Sequence, residues 1–154
     1  MADRQWWVGR VLGVAEFAHA QWFFGNLYEA VVRVPDLLAE QPVTTSPFGH
    51  GSPVRYYAAA VPGTFPAVLA AAVGSRRDRA SLLAAAACSV AGAGITGYLV
   101  RTVNRRLFFG AETLTPEERD DLLRTWYRLN SVRLAAIAAA WLATHSARSH
   151  QSPQ

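Results

Sequence analysis

At 154 residues the chain has room for one domain. Half of it (51%) is hydrophobic and only 17% is charged, below the roughly one quarter usual in soluble domains, so an ordinary soluble domain is a poor fit. The net charge of +4 comes with fifteen arginines and no lysine, but no basic face interleaves with aromatics, which argues against a nucleic-acid partner.

The charges gather in short blocks that leave long apolar stretches between them, and a membrane helix needs about 20 mostly apolar residues. The first such stretch runs over 8–32. Trp6, Trp7 and Arg10 form an interfacial belt before or at its start. It is too long and too polar in its middle for a cleavable signal peptide, and is expected to stay as a span. A long loop over 35–54, rich in Pro, Gly, Ser and Thr, follows. The second span, 55–75, carries Pro62 and Pro66, which membrane helices tolerate with a kink. Arg76-Arg77-Asp78-Arg79 is a tight basic turn.

The third span, 81–103, contains twenty uncharged residues from Ser81 to Val100. Its small residues four apart, Ala85/Ser89, Cys88/Gly92 and Ala93/Gly97, suit close helix packing in lipid. Gly92, Gly94 and Gly97 have the spacing of a nucleotide fingerprint but lie in mid-span, so they read as packing. Cys88, the single cysteine, reads as a packing residue too. Thr115-Pro116-Glu117-Glu118 is a helix start: a threonine cap, proline in the first turn and acids at the positive end of the dipole. The fourth span follows over 122–144, and residues 145–154 form a polar tail expected to fray.

The expected fold is therefore all-α, an integral membrane four-helix bundle over residues 1–154. Four spans put both termini and the basic turn on one side, and the arginine cluster assigns that side to the cytoplasm of a multi-pass cell-membrane protein.

Ionisable residues inside a bilayer are costly and each needs a reason. On the first span Glu16, His19, Asn26 and Glu29 share one face, with Trp22 and Arg33 on it. On the fourth, Trp126, Asn130, Arg133 and Ile137 do the same, while Arg128 points elsewhere and can snorkel. Antiparallel packing brings Asn26 and Glu29 level with Trp126 and Asn130, and Arg101 and Asn104 end the third span on that side. Convergence of these residues predicts an intramembrane polar pocket. Glu16 and His19 suit a proton relay, since an apolar setting disfavours the charged form of either. The same pair has the Glu-x-x-His spacing of di-iron bundles, though those carry two such pairs and further glutamates. Three readings stay open: a network that only locks the helices, a binding or catalytic pocket, and a single bound metal ion held by Glu16 and His19.

The segments WFFGNLYEAVVRVP, LVRTVNRRL and TWYRLNSVR resemble the DUF1772, anthrone-oxygenase-like family of four-span membrane proteins. The fourth-span pattern Trp126, Asn130, Arg133 carries most of the likeness, with Asn104 and Pro35 in support. What the resemblance implies is a monooxygenase-type oxidoreductase of natural-product biosynthesis, working without a conventional redox cofactor. On that expectation Glu16, His19 and Arg133 are catalytic, and Asn26, Glu29, Arg101, Asn104, Trp126 and Asn130 bind a lipophilic activated substrate. The alternative is a non-catalytic membrane protein that binds, exports or scaffolds a small molecule or partner; self-association into a homo-oligomer stays open.

Overall fold

The computed structural model describes residues 2–40, 61–110 and 114–151, and these are helical with short turns and no strand. α1 spans Ala2–Val31. It ends where Arg33 takes a left-handed conformation (φ 58°), and the short α2, Val34–Glu40, starts at once. Pro35, expected to end the first helix, instead sits buried in the first turn of α2, where its missing N–H breaks no helical bond. The long loop expected over 35–54 thus begins as helix, and most of it lies outside the described residues.

α3 spans Val61–Gly74 with Pro66 inside it; the part of the second span expected over 55–60 lies outside the described residues. α4 begins as Arg79–Tyr98, widens into a π-helix over Leu99–Asn104 and ends as Arg105–Leu107. α5 spans Pro116–Ser149. Its start is the capping box anticipated from the sequence: Thr115 Oγ1 accepts from Glu118 N (3.2 Å) and Glu118 Oε2 accepts from Thr115 N (3.0 Å).

The four long helices pack in a ring: α1 lies against α3 and α5, and α4 against α3 and α5. Neighbours run antiparallel. Gly74 at the end of α3 meets Trp7 and Val8 at the start of α1, and Gly92 of α4 meets Ile137 of α5 and Trp22 of α1. One end of the bundle gathers the start of α1, the end of α5 and the Ser75–Asp78 turn. The expectation of a frayed tail from residue 145 is corrected there. α5 stays helical to Ser149, and Asp78 holds its last turn: His150 Nδ1 is 2.8 Å from Asp78 Oδ1, and Gln151 Nε2 donates to Oδ2 (3.2 Å). Ser75 Oγ donates to the same Oδ2 (2.9 Å). Burial alone would raise the pKa of this carboxyl; the His150, Ser75 and Gln151 hydrogen bonds outweigh it and hold the pKa below its ordinary value.

Polar side chains sit within a mainly apolar core, and large apolar side chains sit on the outside. His19, Ser89, Asn26, Asn130, Thr144 and Arg133 are buried, whereas Phe17 (71% exposed), Val31 (71%), Val73 (79%) and Leu142 (66%) face outward on α1, α3 and α5. Val90 and Tyr98 do so on α4. Among the described residues one helix, Arg79–Leu107, is by length and composition apolar enough to cross a membrane; Gly63–Gly74 is apolar but shorter. α1 and α5 are long enough, at about 45 and 51 Å from 1.5 Å per residue, but polar and charged residues lower their mean hydropathy, on α5 chiefly the exposed charges between Glu117 and Arg128.

Small-residue packing on α4 is narrower than its pattern suggests. Ala85, Ser89 and Gly92 are buried, but Ala93, Gly94 and Gly97 are exposed, and a Cβ at Gly94 or Gly97 would meet nothing within 4 Å. Only the Gly92 side of the glycine motif is a helix contact.

Candidate functional site

The buried polar side chains form three levels along the bundle axis. At the terminal end, Glu16 turns toward α5 and not to His19: its Oε2 accepts from Arg148 Nη1 (2.7 Å) and its Oε1 lies 2.8 Å from His145 Nδ1. Both partners belong to the segment expected to be a loose tail, so the long continuation of α5 is what decides where Glu16 points. The expected Glu16–His19 relay is corrected accordingly, as the two side chains bond to different helices.

One turn further in, His19 is fully buried and its Nε2 lies 2.8 Å from Ser89 Oγ on α4. Ser89 Oγ also donates to the Ala85 carbonyl (2.8 Å), so His19 and the α4 backbone share one hydroxyl. On its own helix the ring hydrogen-bonds the Ala15 carbonyl one turn back. Among the described residues no group of three His, Cys, Asp or Glu side chains could hold a metal ion.

Below His19, Trp22 and Ile137 close around Gly92 and separate this level from the third. There, Asn26, Asn130, Arg133 and Trp126 meet as expected from the two polar faces. Asn130 Nδ2 donates to the Asn26 carbonyl (3.3 Å), which ties α5 to α1. Asn130 Oδ1 accepts from Arg133 Nε (3.1 Å) and Nη2 (2.6 Å). Arg133 Nη1 donates to Thr96 Oγ1 on α4 (3.2 Å), and its guanidinium lies 5.9 Å from the Trp126 ring centroid, within cation–π range. The buried cation thus joins α5 to α4 directly, and α1 joins through Asn130. Asn130 and Arg133 lie four and seven residues after Trp126 on one face, and Arg133 reaches back to Asn130 at i, i+3. Asn26 Nδ2 donates to the Trp22 carbonyl (2.7 Å), leaving the buried Asn26 Oδ1 without a hydrogen-bond partner among the described residues.

The remaining expected site residues lie at the margins. Glu29 is half-buried on α1. Asn104 is half-buried in the π-helix, its buried Oδ1 likewise without a partner among the described residues. Arg101 is exposed, and its expected place in the pocket is corrected. Arg33, expected on the inward face, is exposed too; the left-handed turn swings it out to Asp36 (2.6 Å), which also accepts from Tyr127 OH.

The sequence reading missed Ser89, Thr96, His145 and Arg148. Ser89 and Thr96 look like ordinary small residues of an apolar span. Their spacing of seven, with the buried Gly92 between, is the signal that places them on one inward face.

Compared with protein-family models, curated proteins and solved structures, the chain matches none.

Proposed function

We propose that the chain is a four-span membrane protein of the anthrone-oxygenase-like kind, whose interior receives a lipophilic activated aromatic molecule and oxygenates it. The observation that carries the reading is the set of buried polar side chains (His19, Asn26, Asn130, Arg133) inside a bundle that turns large apolar side chains outward on every long helix. Buried polar atoms are rarely left unmet, so Asn26 Oδ1, without a partner among the described residues, invites a donor such as a phenol or enol hydroxyl, or water. Outward Phe, Val and Leu side chains fit lipid as solvent.

In this reading all four long helices cross the cell membrane, with both termini and the Arg76–Arg79 turn at the cytoplasmic face. His19 takes the proton from a methylene made acidic by flanking rings, and Arg133 with Asn130 stabilises the resulting oxyanion. Dioxygen then adds at the carbon, and loss of water leaves a carbonyl: one CH₂ and one O₂ give one C=O and one H₂O, with no further reductant. Glu16 has no step here; its carboxylate is spent on Arg148 and His145. The second reading, a protein that binds its small molecule without turning it over, is favoured by a different observation. Donors of Arg133 are already engaged by Asn130 and Thr96.

Oxygen uptake by the purified protein with anthrone-type substrates separates the two, with metals assayed on the same sample. Turnover lost in a folded His19→Ala protein supports oxygenation; binding without uptake across several such substrates rejects it. The topology is checked by cysteine-accessibility labelling after Cys88→Ser, and termini found on opposite faces would reject four spans.

A further inference from the structure

Between α4 and α5, on the outer side of the bundle, runs a groove of about 750 Å³. Ile95 and Tyr98 on α4 and Leu129 and Val132 on α5 give it apolar walls, and Thr125, Arg128 and Ser131 of α5 line it too. Gly94 of α4 also lines it, exposed, and a Cβ there would meet nothing within 4 Å, so the position opens onto free space.

The pairings of the two helices fix the depth. Gly92 lies opposite Ile137 and Thr96 opposite Arg133, so each residue toward the end of α4 matches one toward the start of α5. Tyr98 is then level with about residue 131, and Arg101 with Arg128. Tyr127, next to Arg128, bonds Asp36 beyond the end of α1, which puts both arginines at the loop end of the bundle. Arg101 and Arg128 are exposed, and neither has a carboxylate within 4.0 Å among the described residues. A mainly apolar groove thus carries Arg128 in its lining, with Arg101 at the same depth, and neither cation has a carboxylate partner among the described residues.

We infer that this groove seats one acyl chain of an anionic phospholipid, with the headgroup phosphate held at Arg128 and Arg101. The inference rests on the membrane reading above. Within it, the groove faces the hydrocarbon and its cationic end reaches the headgroup level, which is where a phosphate diester would lie. Arginine suits that group, since its planar donors meet phosphate oxygens in pairs.

The test is native mass spectrometry of the protein released from mild detergent, after titration with phosphatidylglycerol or with phosphatidylcholine of the same chains. The wild type is expected to retain phosphatidylglycerol in preference to phosphatidylcholine. Arg128→Gln should weaken phosphatidylglycerol retention about fivefold, the worth of one arginine near an anionic headgroup, and bring the two lipids closer together. Gly94→Leu should lower retention of both lipids by filling the trough. Equal retention of the two lipids by the wild type overturns the inference, as does Arg128→Gln behaving like the wild type. Since Arg128 is exposed, its variant decides the matter even if Gly94→Leu fails to fold. A chain that stays monodisperse in water without detergent would instead sink the membrane reading itself, a separate outcome.

Discussion

Gly74 packs the end of α3 closely on the start of α1, and replacing it by alanine measures how tightly the bundle closes. A Cβ at this position would lie 2.4 Å from Val8 Cγ2 and 3.1 Å from the Trp7 ring. Val8 is only 1% exposed, and a valine on a helix has essentially one χ1 rotamer, so its methyl has nowhere to turn. Overpacking of this kind costs about 1–3 kcal/mol. Against it stands the helix propensity gained on replacing glycine by alanine, at most about 1 kcal/mol, and less at the last residue of a helix. Gly74→Ala should therefore destabilise by about 1–2 kcal/mol. Val8→Ala alone removes two buried methyl groups, at about 0.8 kcal/mol each before any cavity term. Combined, the two changes exchange a methyl across the contact, so the double variant should be more stable than the sum of the singles by about 1 kcal/mol or more. Unfolding of all four proteins in the same mild detergent, followed by far-UV circular dichroism, gives the cycle. A Gly74→Ala protein as stable as the wild type, or strict additivity, would refute the close approach of α1 and α3.

Two further outcomes follow from single side chains. The pKa of Asp78 is held below its ordinary value by His150, Ser75 and Gln151 against the opposing effect of burial, so its contribution is present above the unfolded value of about 4 and is lost as pH falls through the lower folded value. Asp78→Asn should flatten that acidic limb of a stability-against-pH profile, and an unchanged limb would show that the α5 end is not anchored there. Thr115→Ala removes one half of the capping box and should cost about 1 kcal/mol, checked by unfolding beside Thr115→Ser, which retains the acceptor and most of the stability.

Local signals in the sequence determined the helical class, the start of α5 and the two polar faces. Thr115, Pro116 and Glu118 specify their cap by chemistry within four residues, and the 100° spacing alone places Asn26 on one face of α1 and Asn130 and Arg133 on one face of α5. Those periodicities survive folding because a helix carries them rigidly. Partner choice does not follow from them. Glu16 looks like a companion of His19 three residues on, yet its carboxylate is taken by Arg148 and His145, which reach it only because α5 runs on past the apolar stretch and lies antiparallel to α1. Likewise, Arg133 finds Thr96, and Asp78 finds His150, across separations of 37 and 72 residues. Long side chains can swing through several ångströms about their helix. Which of the groups within that reach they bind is decided by the neighbouring helix, its register and its depth, and those belong to the tertiary structure alone.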